Sequence, residues 1–199
     1  MPESLDPYTY PGTDVLRNIL DIRDPQQLTA FEANATAARL IELDATPLVG
    51  RFDVAHLKAI HRYIFQDVYR WAGEFRIVNI SKGGHLFGVA AFVDPALQEV
   101  LRKLAGEHLL KGSDHQKFAT RAGFYMGEIN AIHPFRDGNG RAQREFIREL
   151  AIKAGFVIDW SRVTREQMMA ASLESFKTDN SSGMAALIKL SIKQIRRHV

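Results

Sequence analysis

No cysteine occurs among the 199 residues. Disulfides and cysteine-ligated zinc sites are therefore excluded, and stability has to come from a packed core. Long apolar runs are also missing, since no window approaches the ~18 apolar residues of a membrane span. The opening MPESLDPYTYPG lacks the basic and apolar regions of a secretory signal, so cytoplasmic residence without a membrane partner is expected. Nor is there an excess of one charge. The formal balance is +3, and both signs are interspersed, as in LRKLAGEH and REFIREL, so no direct nucleic-acid partner is expected. The basic run KQIRRHV reads as the end of a helix, where cations offset the negative dipole end. There is no internal repeat and no linker rich in glycine, serine or proline. What is present is 46% apolar content, enough for a core at this length, and one domain over residues 1–199 is expected.

Apolar residues three and four apart dominate the chain, which predicts an all-α helical bundle. Asp24-Pro25 starts a helix whose inner face is Leu28, Phe31, Ala35, Ala38 and Ile41; an N-cap acid followed by proline is a common helix start. Asp53 caps a second, with the stripe Leu57, Ile60, Ile64, Phe65 and Val68. His56 and His61 lie there five apart and share no face, so they match no metal pair and read as surface or packing residues. EFRIVNISKGGHLFGV, with β-branched and aromatic residues on both sides of Lys82-Gly83-Gly84, is the best β-hairpin candidate, placed at about 74–90. Helices are then expected from about Asp94 to His108, Asp114 to Ala131, after the loop FRDGNG to Gly155, Thr164 to Phe176, and Gly183 to Arg197. Pro134 ends the helix before it and leaves His133 at the exit.

The stretch HPFRDGNGRAQR, residues 133–144, concentrates the chemistry. Gly138 and Gly140 flank Asn139 where a helix begins, so backbone amides can approach an anion with no Cβ in the way. The helix start supplies unpaired amides and the positive dipole end, and Arg141 and Arg144 add two charges on one face. Together they make a cradle for polyphosphate. Asp137 is suited to hold a magnesium ion that bridges phosphate oxygens, and His133 can accept a proton near neutral pH. Taken singly, GNG is a turn, a histidine before proline is structural, and the arginines pair with Glu145 and Glu149. The combination is different, because about eight fixed positions coincide by chance on the order of once in 10¹⁰.

The stretch resembles the Fic family signature HPFx(D/E)GNGRxxR, and it matches at every fixed position. The resemblance extends through YTYPGTDVLRN, FDVAHLKAIHRYIFQDVYRWAGEFR and VNISKGGHLF, with the region after Trp160 the least diagnostic. It implies a helical Fic fold, a core at about 24–155, a hairpin flap beside the active site, and transfer of AMP from ATP to a Tyr, Thr or Ser hydroxyl of a target protein. On that resemblance His133 is the catalytic base and Asp137 the magnesium ligand. Pro134 and Phe135 fix the loop. Gly138, Asn139 and Gly140 form the anion hole, Arg141 meets the β-phosphate region and Arg144 the γ-phosphate. Ile80, Ser81 and Lys82 belong to the flap that registers the target's extended segment by strand addition. The related Doc kinases carry lysine where this chain has Gly140, which favours AMP transfer over the kinase alternative; another phosphate donor is the remaining alternative.

Many Fic proteins are restrained by a helix of pattern (S/T)xxxE(G/N), whose glutamate seizes the second motif arginine. The nearest stretch here, TAFEAN at 29–34, has its acid one position early. The chain thus resembles the class restrained by a separate small antitoxin, which implies a bacterial toxin with Arg144 as the antitoxin's contact. For several members of that class the targets are gyrase and topoisomerase IV.

Overall fold

A computed structural model describes residues 6–82 and 84–193, with the side chains of Lys82 and His85 outside the description. Among the described residues seven α-helices form the body: α1 (Pro25–Ala45), α2 (Val54–Phe65), α3 (Val93–Gly106), α4 (His115–Ile132), α5 (Asn139–Ala154), α6 (Arg165–Thr178) and α7 (Ser182–Ser191). Two small antiparallel sheets accompany them, β1 (Ser81–Lys82) with β2 (His85–Leu86) and β3 (Val157–Ile158) with β4 (Ile192–Lys193). Among the described residues no helix is long and apolar enough to cross a membrane.

The helix starts follow their caps. The side chains of Asp24, Asp53, Asp114 and Thr164 accept from the third-residue amides of α1, α2, α4 and α6, which satisfies donors that a helix start otherwise leaves open. α4 lies at the centre, its Phe118, Ala122, Tyr125, Met126 and Ile129 all buried, and it packs on α3, α5, α6 and α7. One apolar cluster unites Tyr8 and Leu16 before α1 with Phe65, Phe146, Met184 and Ile192.

Three expectations change. The inner face of α1 runs through Leu28, Thr36 and Leu43, while Ile41 is 72% exposed and Ala38 is also exposed, because Thr36 rather than its apolar neighbours turns toward the motif. Strand pairing in the hairpin is confined to Ser81↔Leu86 and Lys82↔His85, extended only by the Phe87 amide donating to the Ile80 carbonyl at 3.1 Å. Farther out, the stems spend their hydrogen bonds on α4 and the loop after it: the Arg76 amide donates to Pro134 O at 2.9 Å and the Gly88 amide to Ala131 O at 3.1 Å. The last helix stops at Ser191 rather than Arg197, and the chain turns extended at Ile192 to pair with Ile158. Burial of that β-branched pair outweighs helix propagation. The residues of the basic run after Lys193 lie outside the described ones, and Lys193 itself pairs with Asp159 at 3.0 Å.

Candidate active site

The motif occupies the junction of α4 and α5. His133 caps α4 in the left-handed region, φ 51° and ψ 64°, its amide donating to Ile129 O at 3.0 Å. Such a conformation costs a residue with a Cβ of order 1 kcal/mol or more and persists only where the surroundings fix it. The fixing is visible. The imidazole stacks on Phe87 with centroids 3.8 Å apart, and Nδ1 lies 3.2 Å from Asn130 O. A carbonyl only accepts, so the neutral ring carries its proton on Nδ1 and its lone pair on Nε2, the tautomer a proton acceptor needs.

The loop after it is locked from inside. Phe135 is buried and stacks on His61 at 3.8 Å. Asn139 closes the loop on itself, accepting from Phe135 N at 2.9 Å and donating to Phe135 O at 2.8 Å. Its buried side chain is thereby committed to the loop, and its backbone amide is what it offers an anion. Gly138 has φ 78°, and a Cβ there would lie 2.2 Å from Phe65 Cζ, so both conformation and space demand glycine. Like α3 and α7, helix α5 has no side-chain cap; its Arg141 amide donates to Gly138 O at 3.1 Å, which leaves the Asn139 and Gly140 amides to a ligand. Asp137 is half exposed at 48%; its carboxylate accepts from the Gly138 amide and its carbonyl faces His61 Nε2 at 3.0 Å.

The two arginines differ. Arg141 is anchored: it meets Glu32 at 2.6 Å, Thr36 Oγ1 at 3.2 Å and Asp137 at 3.9 Å, and it lies over the Phe65 ring at 4.5 Å. Arg144 forms no ion pair among the described residues, and burial, then the neighbouring Arg141 charge, pushes its guanidinium below the ordinary value. Neither arginine pairs with the expected acids. Glu145 holds Arg148 at 2.7 Å, while Glu149 accepts from Leu48 N at 2.9 Å and lies 2.8 Å from His56 Nε2. Glu32, the misplaced acid of TAFEAN, therefore meets the first motif arginine and not the second.

Both histidines of α2 are packing residues and neither is at the surface. His61 accepts the Gly73 amide on Nδ1 at 2.9 Å, so Nε2 donates to Asp137 O; burial pushes its pKa down to about 4. Of the flap residues, Ile80 and Ser81 lie on the stem and strand that precede the turn, and the Lys82 side chain is outside the description. Sequence reasoning missed His61, Glu32 and Arg76. It also missed Arg136, at the variable motif position, which pairs with Asp6 at 2.7 Å. Their partners lie 57 to 130 positions away, so no local pattern marks them.

The Fic/DOC family profile matches residues 51–151. The chain is 45% identical over 191 residues to "Protein adenylyltransferase VbhT" of Bartonella schoenbuchensis, covering 96% of this chain and 40% of that protein. It thus spans two fifths of that relative's length. It is 37% identical over 194 residues to "Probable protein adenylyltransferase Fic" of Salmonella typhimurium, covering 98% and 96% of the two chains. The fold matches the crystal structure of the BepC effector protein of Bartonella tribocorum with bound AMPPNP at a TM-score of 0.89 and 29% identity, over 94% of this chain and 96% of that one. A mostly helical Fic fold with a small antiparallel sheet, carrying the complete motif at the α4–α5 junction, places this chain in the Fic/DOC family.

Proposed function

We propose that the chain, as one Fic domain over residues 1–199, is a protein adenylyltransferase that moves AMP from ATP to a hydroxyl of a target protein. The observation that carries this reading is the α4–α5 junction: an uncapped helix start, a half-buried Arg144 with no ion-pair partner among the described residues, and a histidine whose lone pair is on Nε2. The names of the relatives and the ATP analogue in the BepC structure support it.

The amides of Asn139 and Gly140 receive phosphate oxygens, as donors held in place before the reaction starts. Arg144 receives the γ-phosphate and Arg141 the β-phosphate region. The target hydroxyl oxygen attacks the α-phosphorus, its proton passes to His133 Nε2, the bond to the β-phosphate oxygen breaks, and pyrophosphate leaves. Magnesium fits Asp137, whose half-exposed carboxylate stands at the start of α5, because this ion is commonly held by one carboxylate together with phosphate oxygens and water. When bound it neutralises charge on the α- and β-phosphates. Ile80, Ser81 and Lys82 present the open flap edge to the target's extended segment.

The finer assignment is a bacterial toxin restrained by a separate antitoxin. What supports it is that Glu32 is engaged with Arg141 and Tyr69, leaving Arg144 for a glutamate from another chain. Gyrase and topoisomerase IV are the first targets to test. Incubation with ATP labelled on the α- or γ-phosphate and a bacterial extract decides the activity: label from α alone supports AMP transfer, and label from γ alone overturns it in favour of a kinase. Strong autoinhibition of the isolated 199 residues would overturn the antitoxin assignment.

A further inference from the structure

Arg76 is 2% exposed, and among the described residues no carboxylate lies within ion-pair distance of it. A buried cation normally has an acid beside it. Among the described residues its side chain donates to backbone carbonyls alone. Nε donates to His133 O at 2.8 Å, Nη1 to Val78 O at 2.7 Å, and Nη2 to Ile132 O at 3.1 Å and to Gly88 O. Ile132 and His133 end α4, where carbonyls are left without helical partners and carry the negative dipole end, so a guanidinium is favoured there. Val78 and Gly88 are the two stems of the flap. The flap's return stem sits against the helix end so closely that a Cβ on Gly88 would lie 3.2 Å from Ile132 O, and its neighbour Phe87 carries the His133 ring at 3.8 Å.

We infer that Arg76 is a positioning residue that sets the target-holding flap and the His133 base in one register, so that the hydroxyl and the base are aligned by a single buried side chain. It touches no nucleotide-binding group of the motif. Lysine has one donor centre where arginine has a planar fork, so it cannot span the four carbonyls. This inference rests on the proposed AMP transfer, and its test has arms that do not.

The experiment compares Arg76→Lys with wild type by amide hydrogen exchange, by ATP binding, and by transfer of α-labelled phosphate into extract proteins. Faster exchange confined to 78–89 and 131–135, an ATP Kd within about twofold, and turnover lowered by roughly tenfold or more are expected, since misplacing a reacting group by about an ångström has such an effect. In Arg76→Ala, added guanidinium should restore part of the turnover. Arg76→Lys with wild-type exchange and turnover overturns the inference, and so does faster exchange throughout α2 and α5, which would make Arg76 a general stabiliser. If wild type transfers no label, the proposed activity fails while the exchange arm still reads the coupling.

Discussion

The carboxylate of Glu32 joins the Arg141 guanidinium, at 2.6 Å, to the Tyr69 hydroxyl. Burial, followed by the Glu32 charge, raises the Tyr69 pKa, so the phenol stays protonated and donates. Glu32→Ala removes the acceptor from both donors at once. It should cost about 2–4 kcal/mol in urea unfolding, and Glu32→Ala combined with Tyr69→Phe should cost less than the sum of the two single changes. Additive costs would show that the three groups do not act as a unit.

Arg144 has the opposite character, a half-buried cation with no ion pair among the described residues. Arg144→Met keeps the apolar stem and removes the charge. Thermal unfolding without nucleotide should be unchanged or higher, because no compensating pair is lost, while ATP affinity measured by calorimetry should fall by roughly 10- to 100-fold, the worth of a charged hydrogen bond. A variant that loses stability but keeps its affinity for ATP would remove Arg144 from the phosphate site.

His61 is a pH device of the fold. Its folded pKa of about 4 lies below the ordinary value of 6.5, so between those values the unfolded chain binds the proton and the folded chain does not. Stability from this residue is complete above about pH 6.5 and is lost as pH falls toward 4, by about 3 kcal/mol over the window. In urea titrations at pH 7 and pH 4.5, His61→Gln should show a smaller acid loss than wild type. An equal loss in both would place the titration elsewhere.

His133→Ala removes the proton acceptor and, in the proposed scheme, no phosphate contact. Turnover should fall by roughly 10²- to 10⁴-fold with ATP affinity within about twofold. Normal turnover would end the assignment of His133 as the base.

Local rules carried much of this fold. Asp24, Asp53, Asp114 and Thr164 marked helix starts because a cap acts over three residues, and Pro134 and Gly155 marked helix ends for similarly local reasons. The motif was legible because its parts lie within twelve consecutive positions, 133–144. The supports of the motif were not. Arg76 reaches His133 across 57 positions, His61 reaches Asp137 across 76, and Glu32 reaches Arg141 across 109; each looks alone like an ordinary polar residue on its element. The Val157–Ile158 pairing with Ile192–Lys193 was hidden likewise, since two-residue strands have too little length for alternation to appear.

The segment before α1 folds partly on itself and has other partners far downstream: Ile19 N donates to Val68 O, Ile77 N to the Tyr8 hydroxyl, and Arg136 to Asp6. None of these contacts can form until the later residue has left the ribosome. The first described residues to be made thus complete their contacts among the last, and the strap that Asp6 forms on Arg136, the variable motif position, closes only once the chain has been synthesised past α4. A nascent chain that stops short of Arg136 lacks both the strap's partner and the cradle that follows it.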